Sequence, residues 1–272
     1  MEILQPGVDY EEFLRGLAQA HSRLLILDYD GTLAPFRIER DQAVPYPGVR
    51  EALTELQAAG HTRLALVTGR PVGEALELLR MDPAPEVWGC HGWERRRADG
   101  TYRLTDPGPV AREGLRRALE ATAGSRPGSW EQKPVSVAAH WRGQAPAEAE
   151  ALRGRIEPRW RELAHAFGLE LHAFDGGLEL RVAGVHKGSA VTTLLDEAGP
   201  GTVAAYLGDD LTDEDAFTAI AGRGLGVLVR EERRPSAASL WIRPPEELLA
   251  FFSRWMVTCP RGDKNGFPKS GW

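Results

Sequence analysis

The stretch "RLLILDYDGTLAPF" (residues 23–36) decides the fold class. Four apolar residues, Leu24 to Leu27, run directly into Asp28 and Asp30. Two unpaired carboxylates at the end of a buried strand repel each other and lose their hydration, an arrangement that needs compensation. In extended backbone Asp28 and Asp30 flank Tyr29 and share one side. A divalent cation on that side relieves the repulsion, and Gly31 permits the turn that follows. A calcium-binding EF-hand loop fits poorly. Counted from Asp28, its glycine position holds Leu33, the preceding run reads as a strand, and Glu39 is a lone match.

Working outward, short apolar runs alternate with helical patterns. Tyr10, Phe13, Leu14 and Leu17 fall on one helical face, opened by the capping pair Asp9 and Glu12. Residues 48–60 read as a helix closed by Gly60, "LALV" (64–67) as a strand, and Pro71 as the start of another helix. "VWGC" (87–90) precedes a hairpin through "RADGTY" (97–102). "TVAAYL" (202–207), "LGVLV" (225–229) and "SLWI" (239–242) are further strands, and "PPEELLAFFSRWM" (244–256) is an amphipathic helix. This alternation predicts an α/β fold with a mostly parallel sheet. Polar motifs at 28–32, 68–70 and 208–213 follow three of the strands, so they are expected to converge on one crevice at the carboxyl ends.

The middle of the chain reads differently. Residues 107–181 hold a helix (110–122), the strand "VSVAAHW" (135–141), and a helical stretch (146–167) expected to break at Pro158. The strands "LELHAF" and "GLELRV" then flank the turn "DGG". The expected organisation is a core of residues 1–106 and 182–272 with an inserted α+β unit at 107–181.

Of the 272 residues, 42% are hydrophobic and 26% charged, a soluble globular composition. A net charge of −6 argues against a general nucleic-acid binder. No apolar run approaches the ~20 residues of a membrane span. "MEILQPGVDYEEF" lacks the blocks of a signal peptide, so a cytoplasmic location with Cys90 and Cys259 reduced is expected. No internal repeat is visible, and a monomer is expected. The segment "CPRGDKNGFPKSGW" (259–272) is expected to pack loosely, with its "RGD" a chance match.

In "GDDLTDED" (208–215), Asp209 sits at a strand end, and Asp213 stands four residues on. With Asp28 and Asp30, Asp209 makes an oxygen-rich site suited to Mg²⁺. Asp213 is a direct or a water-bridged ligand and Asp210 an outer residue, while Glu214 and Asp215 suit a helix N-terminus. Thr68 ends its strand, where its hydroxyl and nearby backbone N–H groups can hold a phosphoryl oxygen. Lys187, in "GVHKGSAV", precedes a helix and can offset both a nucleophile and a phosphate.

The ordered set "DYDGT", "VTGR", "HKG" and "GDDLTDEDAF" resembles the haloacid-dehalogenase superfamily of phosphohydrolases. "CHGWERR" (90–96), "EQKPVSVAAHWR" (131–142) and "GLELRV" narrow the resemblance to trehalose-6-phosphate phosphatases. Trp93 and Trp141 stand where members of that family often carry Ala and Tyr. The resemblance implies a Rossmann-like core with a C2-type cap inserted between "VTGR" and "HKG". It implies Asp28 as nucleophile, Asp30 as general acid and then base, and Thr68 and Lys187 as catalytic partners. Mg²⁺ would sit on Asp28, the Asp30 carbonyl, Asp209 and Asp213.

Sugar selectivity falls to the inserted unit. Glu131 and Lys133, Glu179 and Arg181, and His140 and Arg142 are same-face pairs two residues apart. Lys133 and His140 have opposite parity on one regular strand, so either a loop intervenes or only one pair meets the ligand. The resemblance favours Glu131, Lys133 and Glu179 as sugar contacts, with Arg142 beside them. His91 and Gly92 are expected at the rim between core and insert, with Gly69 and Arg70 at the substrate or, for Arg70, holding the turn. The expected substrate is trehalose 6-phosphate. Other sugar phosphates (of sucrose, glucosylglycerol or mannosylglycerate) and a non-catalytic phosphosugar sensor are the alternatives.

Overall fold

The computed structural model describes residues 1–37, 39–124, 129–174 and 176–257. In chain order its main elements are β1 (Glu2–Ile3), α1 (Tyr10–Gln19), β2 (Ser22–Leu27), α2 (Val49–Ala58), β3 (Arg63–Val67), α3 (Val72–Leu79) and β4 (Glu86–Gly89). The hairpin β5 (Glu94–Arg96) and β6 (Tyr102–Leu104) follows, then α4 (Gly108–Glu120), β7 (Trp130–Lys133), β8 (Ser136–His140), α5 (Pro146–Phe167), β9 (Leu169–Phe174) and β10 (Gly177–Val182). The chain continues through α6 (Lys187–Ala198), β11 (Thr202–Gly208), α7 (Glu214–Ile220), β12 (Leu225–Val229), β13 (Leu240–Ile242) and α8 (Glu246–Val257).

The stretch that decided the fold class is the middle strand of a nine-stranded sheet, ordered β1-β13-β12-β11-β2-β3-β4-β5-β6. The run from β13 to β4 is parallel, and antiparallel pairs close both edges. All of Arg23 to Leu27 is buried, because β2 is covered on both faces. Leu25 and Leu27 point into the cluster shared with α1, α2 and α8, while Leu24 and Ile26 point into the one shared with α6 and α7. The sheet thus delivers Asp28, Thr68 and Asp209 to one edge.

A second, antiparallel sheet runs β7-β8-β10-β9. One of its faces carries Val137, Ala139, Leu178 and Leu180 onto α4 and α5. Its other face aligns Glu131, Ala138, Glu179 and His172 in one cross-strand row. The pairing of Lys133 with Ser136 answers the parity question, since a hairpin intervenes and resets the register. Glu131, Lys133 and His140 therefore share a face.

Two expectations change. α5 runs unbroken through Pro158. Pro158 and Gly154, whose carbonyl loses its helical donor, both face water, while Ile156, Trp160 and Leu163 anchor the opposite side. Pro71 precedes α3 as its N-cap and does not occupy the first turn. Asp9 caps α1 as expected, accepting from the Glu12 N–H at 2.9 Å. Cys90 is a buried free thiol. Cys259, the 259–272 segment and Asp175 of the "DGG" turn lie outside the described residues. Among the described residues no helix is long and apolar enough to cross a membrane.

Trp160 is fully buried under the second sheet, and its indole N–H donates to the Ala118 carbonyl at 3.1 Å. Trp160→Ala is expected to cost about 3–5 kcal/mol, read from urea denaturation. A loss below about 1 kcal/mol would contradict this packing.

Candidate active site

The parallel sheet's carboxyl edge and the charged face of the second sheet enclose a cavity of about 910 Å³. At its floor, Asp28 extends β2 by donating its N–H to the Leu207 carbonyl at 2.8 Å. The Lys187 ammonium, at the start of α6 and 3% exposed, donates to Asp28 Oδ1 at 2.6 Å and to Asp213 Oδ1 at 2.7 Å. Burial alone would discharge this lysine, but Asp213 and Asp28 hold it above its ordinary value.

Asp213 lies beneath the cavity wall with no exposed surface. Its Oδ1 also accepts from the Tyr206 hydroxyl, and its Oδ2 accepts from the N–H groups of Asp209 and Asp210 at 3.1 and 2.9 Å. Both oxygens are therefore occupied, and Asp213 acts here as the bracket between β11 and Lys187. Asp209 differs, because its Oδ1 is buried with no partner among the described residues. Carboxylate oxygens of Asp28, Asp209 and Asp213 lie within 4.8 Å of one another. An orphaned, buried carboxylate oxygen beside other acids fits a hard cation such as Mg²⁺. Asp210 caps the following turn through the Leu211 N–H at 2.7 Å and reaches the cavity wall. Gly31, at φ +82°, is required because a Cβ there would lie 2.1 Å from Asp209 Oδ2.

Burial, with Asp213 adding and Lys187 opposing, pushes the Asp28 carboxyl up to about 7. Burial and the neighbouring Asp28 raise Asp209 well above the ordinary carboxylate range. Protein groups alone thus leave the acids under-compensated.

Asp30 turns away from this cluster. The Arg70 guanidinium clamps its carboxylate, with Nε and Nη2 each donating at 2.7 Å. Arg70 was expected at the substrate or in the turn. Its fork is spent on Asp30, and its N–H donates to Thr68 Oγ1 at 3.1 Å, so it organises the motif around the acid. Thr68 is buried at the end of β3. Gly69 lines the cavity, where a Cβ would come 2.8 Å from the His91 ring.

On the opposite wall, Glu179 accepts from Lys133 at 2.9 Å and from Ser136 at 2.7 Å, with His91 Nε2 at 3.3 Å. Burial would raise the Glu179 carboxyl, but Lys133 and the His91 and Ser136 bonds hold it well below its usual range. Burial lowers His91 to about 4, so at neutral pH a neutral imidazole faces Glu179. His91 lines the cavity, but Gly92 does not. At φ +114° Gly92 turns the chain, and a Cβ there would meet Val185 and Ala190. Glu131 Oε2 meets His140 at 3.1 Å and contacts Arg40, while Glu131 Oε1 is buried without a partner among the described residues. The Arg142 guanidinium stacks 4.6 Å above the Phe36 ring. Trp93 packs in the apolar cluster under the second sheet and does not line the cavity.

Sequence reasoning missed Arg40, Phe36 and Tyr206, and also Glu74, which lines the cavity. Tyr206 follows from strand alternation, two residues before Gly208. The other three sit on a loop and a helix surface, where nothing in the local pattern marks them.

A family model described as trehalose-phosphatase matches residues 26–241. A Mycobacterium tuberculosis (strain H37Rv) protein named an uncharacterized glycosyl hydrolase is 30% identical over 260 residues, covering 89% of this chain and 19% of that protein. The trehalose-phosphate phosphatase of Mycobacterium marinum is 31% identical over 245 residues, covering 85% of this chain and 60% of that protein. The chain thus spans a fifth to three-fifths of these relatives. Among solved structures, the C-terminal domain of C. albicans trehalose-6-phosphate phosphatase superposes with a TM-score of 0.76 at 20% identity. The match covers 94% of this chain and 99% of that one, a likeness of fold.

A carboxyl raised in the folded state, as Asp28 is, binds its proton more tightly there than in the unfolded chain. Its contribution is complete below about pH 4 and is lost as pH rises through about 7. In metal-free protein, the stability of Asp28→Asn relative to wild type should therefore climb across that window by about 1–3 kcal/mol, read from melting curves. Added Mg²⁺ should stabilise wild type at neutral pH more than the variant. A difference flat in pH would contradict the buried-acid reading.

Proposed function

The chain belongs to the trehalose-phosphatase family, and from that premise we propose that it hydrolyses trehalose 6-phosphate to trehalose and inorganic phosphate. The observation that carries the proposal is the Lys187-clamped Asp28 at the floor of a cavity whose far wall bears Glu131, Lys133 and Glu179. The division of labour follows from it. Residues 1–106 and 182–272 form the catalytic core, and 107–181 form a cap that reads the sugar.

Asp28 attacks phosphorus and forms an aspartyl-phosphate while the sugar oxygen departs. Asp30 protonates that oxygen and then takes a proton from the water that hydrolyses the acyl phosphate. To donate, Asp30 must turn at least one oxygen away from Arg70, which occupies both. Lys187 steadies Asp28 as negative charge approaches. Thr68 and the backbone N–H groups beside it hold the phosphoryl oxygens. Asp28, Asp209 and the Asp30 carbonyl would hold Mg²⁺, with Asp213, whose oxygens are engaged by Lys187, Tyr206 and two N–H groups, setting the loop that aims Asp209. When bound, the ion shields the phosphate dianion from the nucleophile and polarises phosphorus. Glu131 Oε1 offers a buried acceptor to a sugar hydroxyl.

The test is phosphate release from a panel of trehalose, sucrose, glucosylglycerol and mannosylglycerate phosphates. Trehalose 6-phosphate should lead in kcat/KM by roughly tenfold or more, and chelation should abolish turnover. A clear preference for another ester would overturn the substrate, and turnover surviving chelation would overturn the metal's role. Asp28→Asn should lose roughly a thousandfold or more in kcat, and near-wild-type activity would reject the nucleophile. Lys133→Ala should lower kcat/KM for the sugar phosphate by roughly tenfold or more and lower that for p-nitrophenyl phosphate less. Equal losses would mean that the cap does not read the sugar.

A further inference from the structure

We infer that a chain of alternating charges, Glu131–Arg40–Glu74–Arg70–Asp30, couples recognition of the sugar to the position of Asp30, with Glu74 as its central positioning residue. This coupling presupposes the phosphatase reading above. It begins in the cap, where Glu131 lies on β7 with one oxygen against Arg40 and the other buried and unpartnered. Arg40 belongs to the core, on the short turn Arg40–Gln42 that follows the nucleophile motif. Its Nη2 donates to Glu74 Oε2 at 3.3 Å. The same Glu74 oxygen lies 3.6 Å from Arg70 Nη1. Arg70 completes the path with its two 2.7 Å bonds to Asp30.

Each link constrains the next. Arg70 is pinned over the Tyr29 ring at 5.7 Å, and the Tyr29 hydroxyl donates to the Ala43 carbonyl at 2.9 Å. The segment that carries Arg40 is thereby tied to the residue between Asp28 and Asp30. A forked guanidinium accepts little rotation once both its partners are set. A hydroxyl bound at Glu131 Oε1 completes the contacts of that carboxylate and holds Arg40 between Glu131 and Glu74. Glu74, with a second cation held against it, then sets the third nitrogen of Arg70 and so the plane in which Asp30 is presented. A phosphate ester without a sugar leaves the first link loose. Glu74 touches no reacting atom, and its side chain is 43% exposed, so it can be replaced without opening the core.

A double-mutant cycle in kcat tests the coupling, with trehalose 6-phosphate and p-nitrophenyl phosphate as parallel substrates. With the sugar ester, Glu74→Gln should lower kcat roughly fivefold to tenfold and change KM by less than about threefold. In a Glu131→Gln background the same change should cost less than about twofold, because the path is already cut. With the aryl ester, Glu74→Gln should leave kcat within about twofold. Glu74→Asp, which keeps the charge, should recover part of the loss. Multiplying losses in the cycle, equal losses on both esters, or a change confined to KM would each overturn the inference. Wild-type inactivity toward trehalose 6-phosphate alone would instead overturn the substrate reading. The cycle would then be decided on the sugar phosphate that the wild type prefers.

Discussion

A single buried ammonium, that of Lys187, spans Asp28 just after β2 and Asp213 beyond β11. Neither acid has appreciable access to water, so each depends on that cation to offset the cost of its burial. The same contact brings the N-terminus of α6 onto the edge where the parallel strands end. Asp213 returns the constraint through two backbone N–H groups and Tyr206, which fixes the loop that aims Asp209. One lysine cannot neutralise three clustered acids. The remaining deficit, visible in the unpartnered Asp209 oxygen, sets the floor apart from a self-compensated ion pair.

The floor and the opposite wall are built from different physics. The floor is rigid because adjacent strands, hydrogen-bonded in register, dictate where Asp28, Thr68 and Asp209 stand. The opposite wall is a twisted antiparallel face whose charges neutralise one another across strands, Lys133 against Glu179 and Glu131 against Arg40 and His140. Such a face holds many donors and acceptors in a fixed pattern, which suits a ligand of many hydroxyls. The Trp93 substitution bears on the packing beneath this wall and leaves the cavity lining untouched.

The placing of Asp28, Thr68 and Asp209 was legible because each directly follows an apolar strand of the parallel sheet, so strand register puts them at one edge. The insert's sheet was legible as strands, and the opposite parity of Lys133 and His140 left open the question that the hairpin between them answers. Other features were hidden for identifiable reasons. Pro158 reads as a helix break, yet a solvent-facing position tolerates it. Gly92 adjoins a cavity residue, yet its backbone turns away. Arg40 meets Glu131 only because the loop after β2 and the hairpin of the second sheet converge in space, and no periodicity records a meeting so distant along the chain. Arg70 looked like a turn or substrate residue because nothing local reveals that its fork would close on Asp30.

The most direct measurement is chemical trapping of the acyl phosphate during turnover of trehalose 6-phosphate. Acid quenching followed by borohydride reduction converts a phosphorylated aspartate to the corresponding alcohol, which peptide mass spectrometry locates. Reduction at position 28, dependent on both substrate and Mg²⁺, is the expected result. Undiminished turnover with no reduced residue at that position, or with reduction at another aspartate, would contradict Asp28 as the nucleophile that Lys187 holds in place.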